Sequence, residues 1–283
     1  MWSKRNKLIG EQLNPFTGLY DKVYDYENSE NVWVEPKAKR KSVYSTDTVA
    51  ICSGNVIEIK KYSEKLLYGY SDSSVKTGKR SVKKNIDFYK REDNINASKM
   101  HLRRLINANV QKGSKFVTLT FRDNLQDVDF AKILFKNFVK KINYRRKKNG
   151  KENLKYVYVI EFQKRGAVHF HCVFFNMGFV GSSYLQSLWE YGFLKINLIN
   201  NIDNVGAYVV KYMQKDFYNS SLDGHDMYGR SKGNLQESIV IKEPSTVAKL
   251  LEGYKNKIVF TKLYTTQYRG NIEYIQINLK RNE

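Results

Sequence analysis

From Val168 to Phe175 every residue is apolar except two, His169 and His171. A run rich in aromatic and β-branched residues reads as a strand. Residues two apart in a strand share a face, so the two imidazoles project side by side. The preceding run, Leu154 to Phe162, reads as the antiparallel partner across the turn Gln163 to Gly166. That hairpin carries Glu161 toward the histidines. A carboxylate in a run otherwise so apolar requires a counter-charge or a metal. The chain has only four histidines, and two of them stand in this tripeptide. Two nitrogens and one oxygen suit a divalent cation with open positions, Mn²⁺ or Mg²⁺, with Zn²⁺ a further candidate. No C-x-x-C and no fourth obvious ligand accompanies them, which argues against a closed structural zinc site.

The flanking segments limit the architecture. Lys115 to Phe121 reads as a strand and Asp129 to Asn143 as a helix, followed by a basic loop from Arg145 to Gly150. After the histidine hairpin come a short helix, Tyr184 to Tyr191, closed by Gly192, and a strand, Leu194 to Ile199. A second helix follows from Val205 to about Phe217, with Asp203 as its expected cap. The order is β-α-β-β-α-β-α, and its first six elements match the split β-α-β arrangement of ferredoxin-like α+β folds.

Four stretches follow from these patterns. Residues 1–40 are polar, mixed in charge and aperiodic, and read as a flexible arm. Residues 41–112 hold a hairpin (Thr48 to Cys52, a turn at Ser53-Gly54-Asn55, Val56 to Ile59) and a basic amphipathic helical region from Ile86 to Asn109. Residues 113–235 form the core, ending in a Gly- and Ser-rich segment, 219–234, expected to be mobile. Residues 236–283 read as an α/β extension, with strands at 238–241, 258–263 and 272–279 and a helix from about Ser245 to Tyr254.

Charge narrows the function classes. Lys and Arg number 49 against 28 Asp and Glu, a net charge of +21. Such a balance is foreign to ordinary metabolic enzymes and indicates a polyanion partner, of which nucleic acid is the commonest. The 21 tyrosines and 15 phenylalanines suit stacking against unpaired bases. Two cysteines, Cys52 and Cys172, make no disulfide framework. No apolar stretch is long enough to span a bilayer, and the N-terminus lacks the apolar core of a signal peptide. A cytoplasmic protein with no membrane partner is expected.

Near the end of the core lies Tyr208-Val-Val-Lys211-Tyr212-Met-Gln-Lys215. On a helix Tyr208 and Tyr212 share a face one turn apart, and Lys211 and Lys215 share an adjacent one. Tyrosine is a weak nucleophile at its usual pKa near 10, so a nearby ammonium is expected to stabilise the phenolate or steady a phosphate. A competing reading makes Tyr208, Val209, Tyr212 and Met213 an apolar core stripe.

Taken in order, these segments resemble the HUH endonuclease superfamily, specifically the two-tyrosine rolling-circle replication initiators of small bacterial plasmids and single-stranded DNA phages. The likeness rests on the strand Phe116 to Phe121, the trio His169-Phe170-His171, and Tyr208 to Lys215. Ser231-Lys232-Gly233 resembles the segment that often follows the tyrosine helix. The resemblance implies a five-stranded antiparallel sheet with the histidines on central strands and the tyrosine helix packed over them. His169, His171 and Glu161 would hold the cation. Tyr212, favoured as initiator, and Tyr208 would be nucleophiles, assisted by Lys211 and Lys215. Cleavage of origin single-stranded DNA would leave a 5′-phosphotyrosine and a free 3′-hydroxyl for a host polymerase. No Walker A motif follows, so unwinding falls to a host helicase. A relaxase or transposase of the same chemistry and a non-catalytic nucleic-acid-binding protein are the alternatives.

Overall fold

The computed structural model describes residues 2–13, 20–33, 44–68, 88–199, 202–213, 226, 228–233, 235–266 and 270–280. The chain divides into two units, residues 1–44 with 67–75, and residues 45–66 with 76–283. In the first, β1 (Trp2–Leu13) and β2 (Tyr20–Trp33) form an antiparallel ladder, where the sequence reads as an arm without periodic structure. Its register sets Arg5 opposite Glu30, Lys7 opposite Asp25 and Glu11 opposite Lys22. Mixed charge hides any apolar alternation along one strand, but across the ladder it becomes pairing of opposite signs.

In the second unit, β5 (Lys115–Thr120), β6 (Tyr156–Phe162), β7 (Val168–Phe174), β8 (Leu194–Leu198) and β9 (Tyr228–Arg230) build one five-stranded sheet. Its order is β8-β5-β7-β6-β9, with every pairing antiparallel. Helix α2 (Val128–Lys148) follows β5 and α3 (Ser182–Leu188) follows β7. This is the expected ferredoxin-like α+β arrangement, with the histidine strand β7 at its centre.

One sheet face presents Val117, Leu119, Ile160, Phe170 and Phe174 to Phe135 and Phe138 of α2 and Leu185 of α3, a wholly apolar core. The other face carries Phe116, Val157, Val159 and Val173. Against it lie Leu102, Leu105 and Ile106 of α1 (Phe88–Asn109) and Val205, Val209 and Val210 of α4 (Val205–Val210).

A second five-stranded sheet joins segments far apart in sequence. It comprises β3 (Tyr44–Ser53), β4 (Val56–Tyr68), β10 (Ile239–Ile241), β11 (Ile258–Thr266) and β12 (Gly270–Asn278), in the order β10-β3-β4-β12-β11. Ile57, Ile59, Ile275 and Ile277 pack with Val247 of α5 (Pro244–Gly253). Glu58 points the other way and is only 1% exposed, with Arg103 Nη2 at 3.0 Å and Arg104 Nε at 2.5 Å. Helix α1 therefore packs its apolar side on the histidine sheet and sends its arginines into the second sheet.

Several boundaries differ from the sequence reading. Arg145 to Lys148 close α2 instead of forming a loop, as suits cations at a helix C-terminus. Arg146 is buried, its Nε donating to the Glu152 carbonyl at 2.6 Å. Helix α3 ends at Leu188, before Gly192. Part of the segment expected to be mobile, Tyr228–Arg230, is the edge strand β9. No helix among the described residues is long and apolar enough to cross a membrane.

Candidate functional site

Sheet register brings the three predicted ligands together. Glu161 stands directly opposite His169 on β6 and β7, and His171 follows two residues on, opposite Thr118 of β5. All three therefore share the α1–α4 face. One ligand atom from each lies within 4.8 Å of the others. Glu161 Oε2 and His171 Nε2 are hydrogen-bonded, and His171 Nδ1 lies 3.3 Å from Thr118 Oγ1. Carboxylate and hydroxyl thus grip the imidazole at both nitrogens and set its plane, as partners of metal-bound histidines do.

His169 differs from its neighbour. Its Nε2 is buried with no hydrogen-bond partner among the described residues, which costs about 1–3 kcal/mol. Burial pushes its pKa down to about 4, with His171 and Arg165 pushing the same way and Glu161 opposing. The ring is neutral at physiological pH, the state that binds metals. An unpartnered imidazole nitrogen, a second imidazole and a carboxylate at this spacing fit a divalent cation.

The tyrosine segment reaches the site through a close helix crossing. Gly206, in the first turn of α4, lies so near α1 that a Cβ there would come within 2.2 Å of the Arg103 carbonyl. Asn107 of α1 accepts from the Gly206 amide at 2.8 Å and donates to Asn204 Oδ1 at 3.0 Å. Asn204 in turn caps α4 by accepting from the Ala207 amide, so the cap is Asn204 and not Asp203. After Val210 the chain tightens into a 3₁₀ turn, Lys211–Met213, a common form for a helix end. Lys215 lies outside the described residues.

Tyr212 comes to rest on His171, the two rings stacked with centroids 4.2 Å apart and planes 22° from parallel. Phe116 backs both, its ring 5.5 Å from Tyr212 and 5.8 Å from His171. Tyr208 meets Phe116 edge-on, and its hydroxyl is 3.1 Å from that of Tyr212. The Tyr212 phenol is shifted upward in pKa, first by burial and then by the bond to Tyr208 and the charge on Glu161. Lys211 does not reach the phenol oxygens as expected. Its Nζ lies over the Tyr208 ring, 4.0 Å from the centroid, a cation–π contact.

Thr118 and Asn107 are parts of this arrangement that sequence reasoning missed. Thr118 sits inside the recognised strand motif, but only the register with His171 reveals its contact. Gly206 carried a usable signal, because glycine early in a helix is costly unless something approaches closely.

The antiparallel sheet with its Glu–His–His cluster and stacked phenol defines a site that could hold a metal. Residues 114–217, which contain β5, the three candidate ligands and both tyrosines, match a family of replication-associated proteins, the ORF2 type. The match is consistent with a rolling-circle replication initiator. Searches of curated proteins and of solved structures gave no match.

Proposed function

We propose that this chain is a replication initiator that nicks and rejoins single-stranded DNA at an origin by tyrosine transesterification. The observation that carries the reading is Tyr212 stacked 4.2 Å from His171, inside a cluster able to hold a cation. A divalent ion, Mn²⁺ or Mg²⁺, bound by His169, His171 and Glu161 would polarise the scissile phosphate and orient it. The phenolic oxygen of Tyr212 bonds to phosphorus while the P–O3′ bond breaks. The phenol's proton leaves to solvent and the 3′-oxygen is released as a hydroxyl. A 5′-phosphotyrosine and a primer end for a host polymerase result, with unwinding left to a host helicase.

Tyr212 is favoured as the first nucleophile because it contacts a candidate ligand, whereas Tyr208 contacts Tyr212 and Phe116. The hydroxyl of Tyr208, 3.1 Å away, is near enough to attack the regenerated junction. Lys211 holds the Tyr208 ring, and Lys215 is assigned to steadying phosphate. Attack by the 3′-hydroxyl on the phosphotyrosine reverses the bond changes and closes the strand.

The test uses single-stranded oligonucleotides tiling the DNA that flanks the chain's own gene, incubated with protein and Mn²⁺ and run on a denaturing gel. A covalent adduct is expected, lost in the Tyr208→Phe/Tyr212→Phe double variant, which still binds DNA. No adduct from the wild-type protein, or an adduct that persists in the double variant, contradicts the proposal.

A further inference from the structure

We propose that Phe193 and Lys195 form a platform for the single strand, with Phe193 stacking on an unpaired base beside the scissile phosphate and Lys195 holding a backbone phosphate. This rests on the reading above and deepens it, because it says where the substrate enters.

The argument begins with a close approach. Gly192 passes the end of β5 so tightly that a Cβ would lie 2.2 Å from the Thr120 carbonyl and 2.7 Å from the Arg122 amide. Only glycine fits there, and its effect is to deliver the next residue, Phe193, beside Thr120. Three hydrogen bonds then fix Phe193. Its carbonyl accepts from the Thr120 amide at 2.9 Å and from Thr120 Oγ1 at 3.1 Å, and its amide donates to Thr120 Oγ1 at 3.2 Å. A single exposed aromatic is unremarkable on a protein surface. One whose backbone is fastened this firmly, yet whose ring is 63% exposed, is a side chain held out in water.

Register supplies the second observation. Thr120 is paired with His169 and Thr118 with His171, while across β5 Thr118 is paired with Lys195. Alternation along β8 places Phe193 and Lys195 on the histidine face, and buried Leu194 between them on the other. Two strand spacings separate this strip from β7, roughly 10 Å, the reach of a neighbouring nucleotide. At the other side of the same face, Tyr228 of β9 is tied to His101 of α1 through a 2.6 Å bond, so α1 covers that flank. The β8 flank, where Phe193 and Lys195 are exposed, is the open approach to the cluster. An exposed aromatic next to a cation is the pairing that holds unpaired nucleic acid, with the ring on a base and the ammonium on phosphate.

The experiment measures anisotropy of a fluorescein-labelled single-stranded oligonucleotide of mixed sequence, and of its duplex. It uses the Tyr208→Phe/Tyr212→Phe protein so that binding is read without covalent capture. Phe193→Ala is expected to weaken single-strand binding roughly ten-fold, with little change for duplex, and Phe193→Trp to retain it. Lys195→Ala should lower the salt slope of binding by about one phosphate contact. If Phe193→Ala binds the single strand as tightly as its parent, the platform is wrong. The adduct assay on wild-type protein is scored separately. An adduct alongside an unchanged Phe193→Ala affinity rejects the platform and keeps the nuclease, and the opposite pair of results does the reverse.

Discussion

Two carboxylates enter the interior of the second unit, one from each five-stranded sheet, and they are neutralised in different ways. Glu58, with a side chain 1% exposed, meets two permanent cations, Arg103 and Arg104, and accepts a further hydrogen bond from Tyr274 at 2.6 Å. Glu161, with a side chain 12% exposed, meets His171, a group that can be neutral, next to a second imidazole whose buried nitrogen has no hydrogen-bond partner among the described residues. Guanidinium compensation is fixed at any physiological pH. Imidazole compensation can be exchanged for a metal. One cluster joins α1 to a sheet, and the other can accept a charge from solution.

Substitution separates the two most strongly through stability. Glu58→Gln leaves two arginines buried without their counter-charge and should cost about 3–5 kcal/mol, read by urea unfolding with or without Mn²⁺. If this variant proves as stable as the wild type, Glu58 is no clamp. Glu161→Gln should show its effect only when metal is added. At a Mn²⁺ concentration a hundred times its dissociation constant the wild-type protein gains about 2.7 kcal/mol. The same ion should leave the melting temperature of Glu161→Gln unmoved, and an equal shift in both would place the ion elsewhere.

Acid offers a finer separation. Burial raises the pKa of Glu58, but the charges of Arg104 and Arg103, with hydrogen bonds from Arg104 and Tyr274, overcome it and hold the carboxyl below its usual range. A depressed carboxylate contributes its full stabilisation above the unfolded value of about 4.3 and loses it as pH falls through the folded value. The stability gap between wild type and Glu58→Gln should therefore be constant at neutral pH and close only in acid below that value. A gap that narrows between pH 6 and 8, a window set by histidine titration and bounded only roughly, would implicate a different group. The smallest effect is expected at His169. Replacing it with leucine removes a buried nitrogen that lacks a partner, so the metal-free protein should gain about 1 kcal/mol while losing its response to Mn²⁺. A loss of metal-free stability would mean that the nitrogen is satisfied in solution.

What could be read in advance follows from range. Strand and helix identities in the core are local, and alternation or helical spacing within a dozen residues revealed them, as it did the shared face of His169 and His171. Glu161 was reachable because a four-residue turn sets the hairpin register. Partners distant in the chain left no such trace. Nothing between Val56 and Tyr68 tells that β4 pairs with Gly270–Asn278, nor does Glu58 announce Arg103. The edge strand Tyr228–Arg230 is three residues long with glycine at its centre, too short for any period. Its Gly229 is explained only by the Tyr158 ring, within 2.3 Å of where a Cβ would stand. The tyrosine pair was legible as a spacing, but its orientation was not. Lys211 lies on a ring because α4 ends at Val210 and the chain tightens there, a change that helical periodicity does not register.

The central claim is that a cation binds among His169, His171 and Glu161, against the phenol of Tyr212. Anomalous diffraction at the manganese edge, from crystals grown with Mn²⁺, locates that ion directly. The account predicts a peak among His169 Nε2, the His171 imidazole and the Glu161 carboxylate, beside the Tyr212 ring. A peak at another site, with these three side chains still paired only to one another, would contradict it.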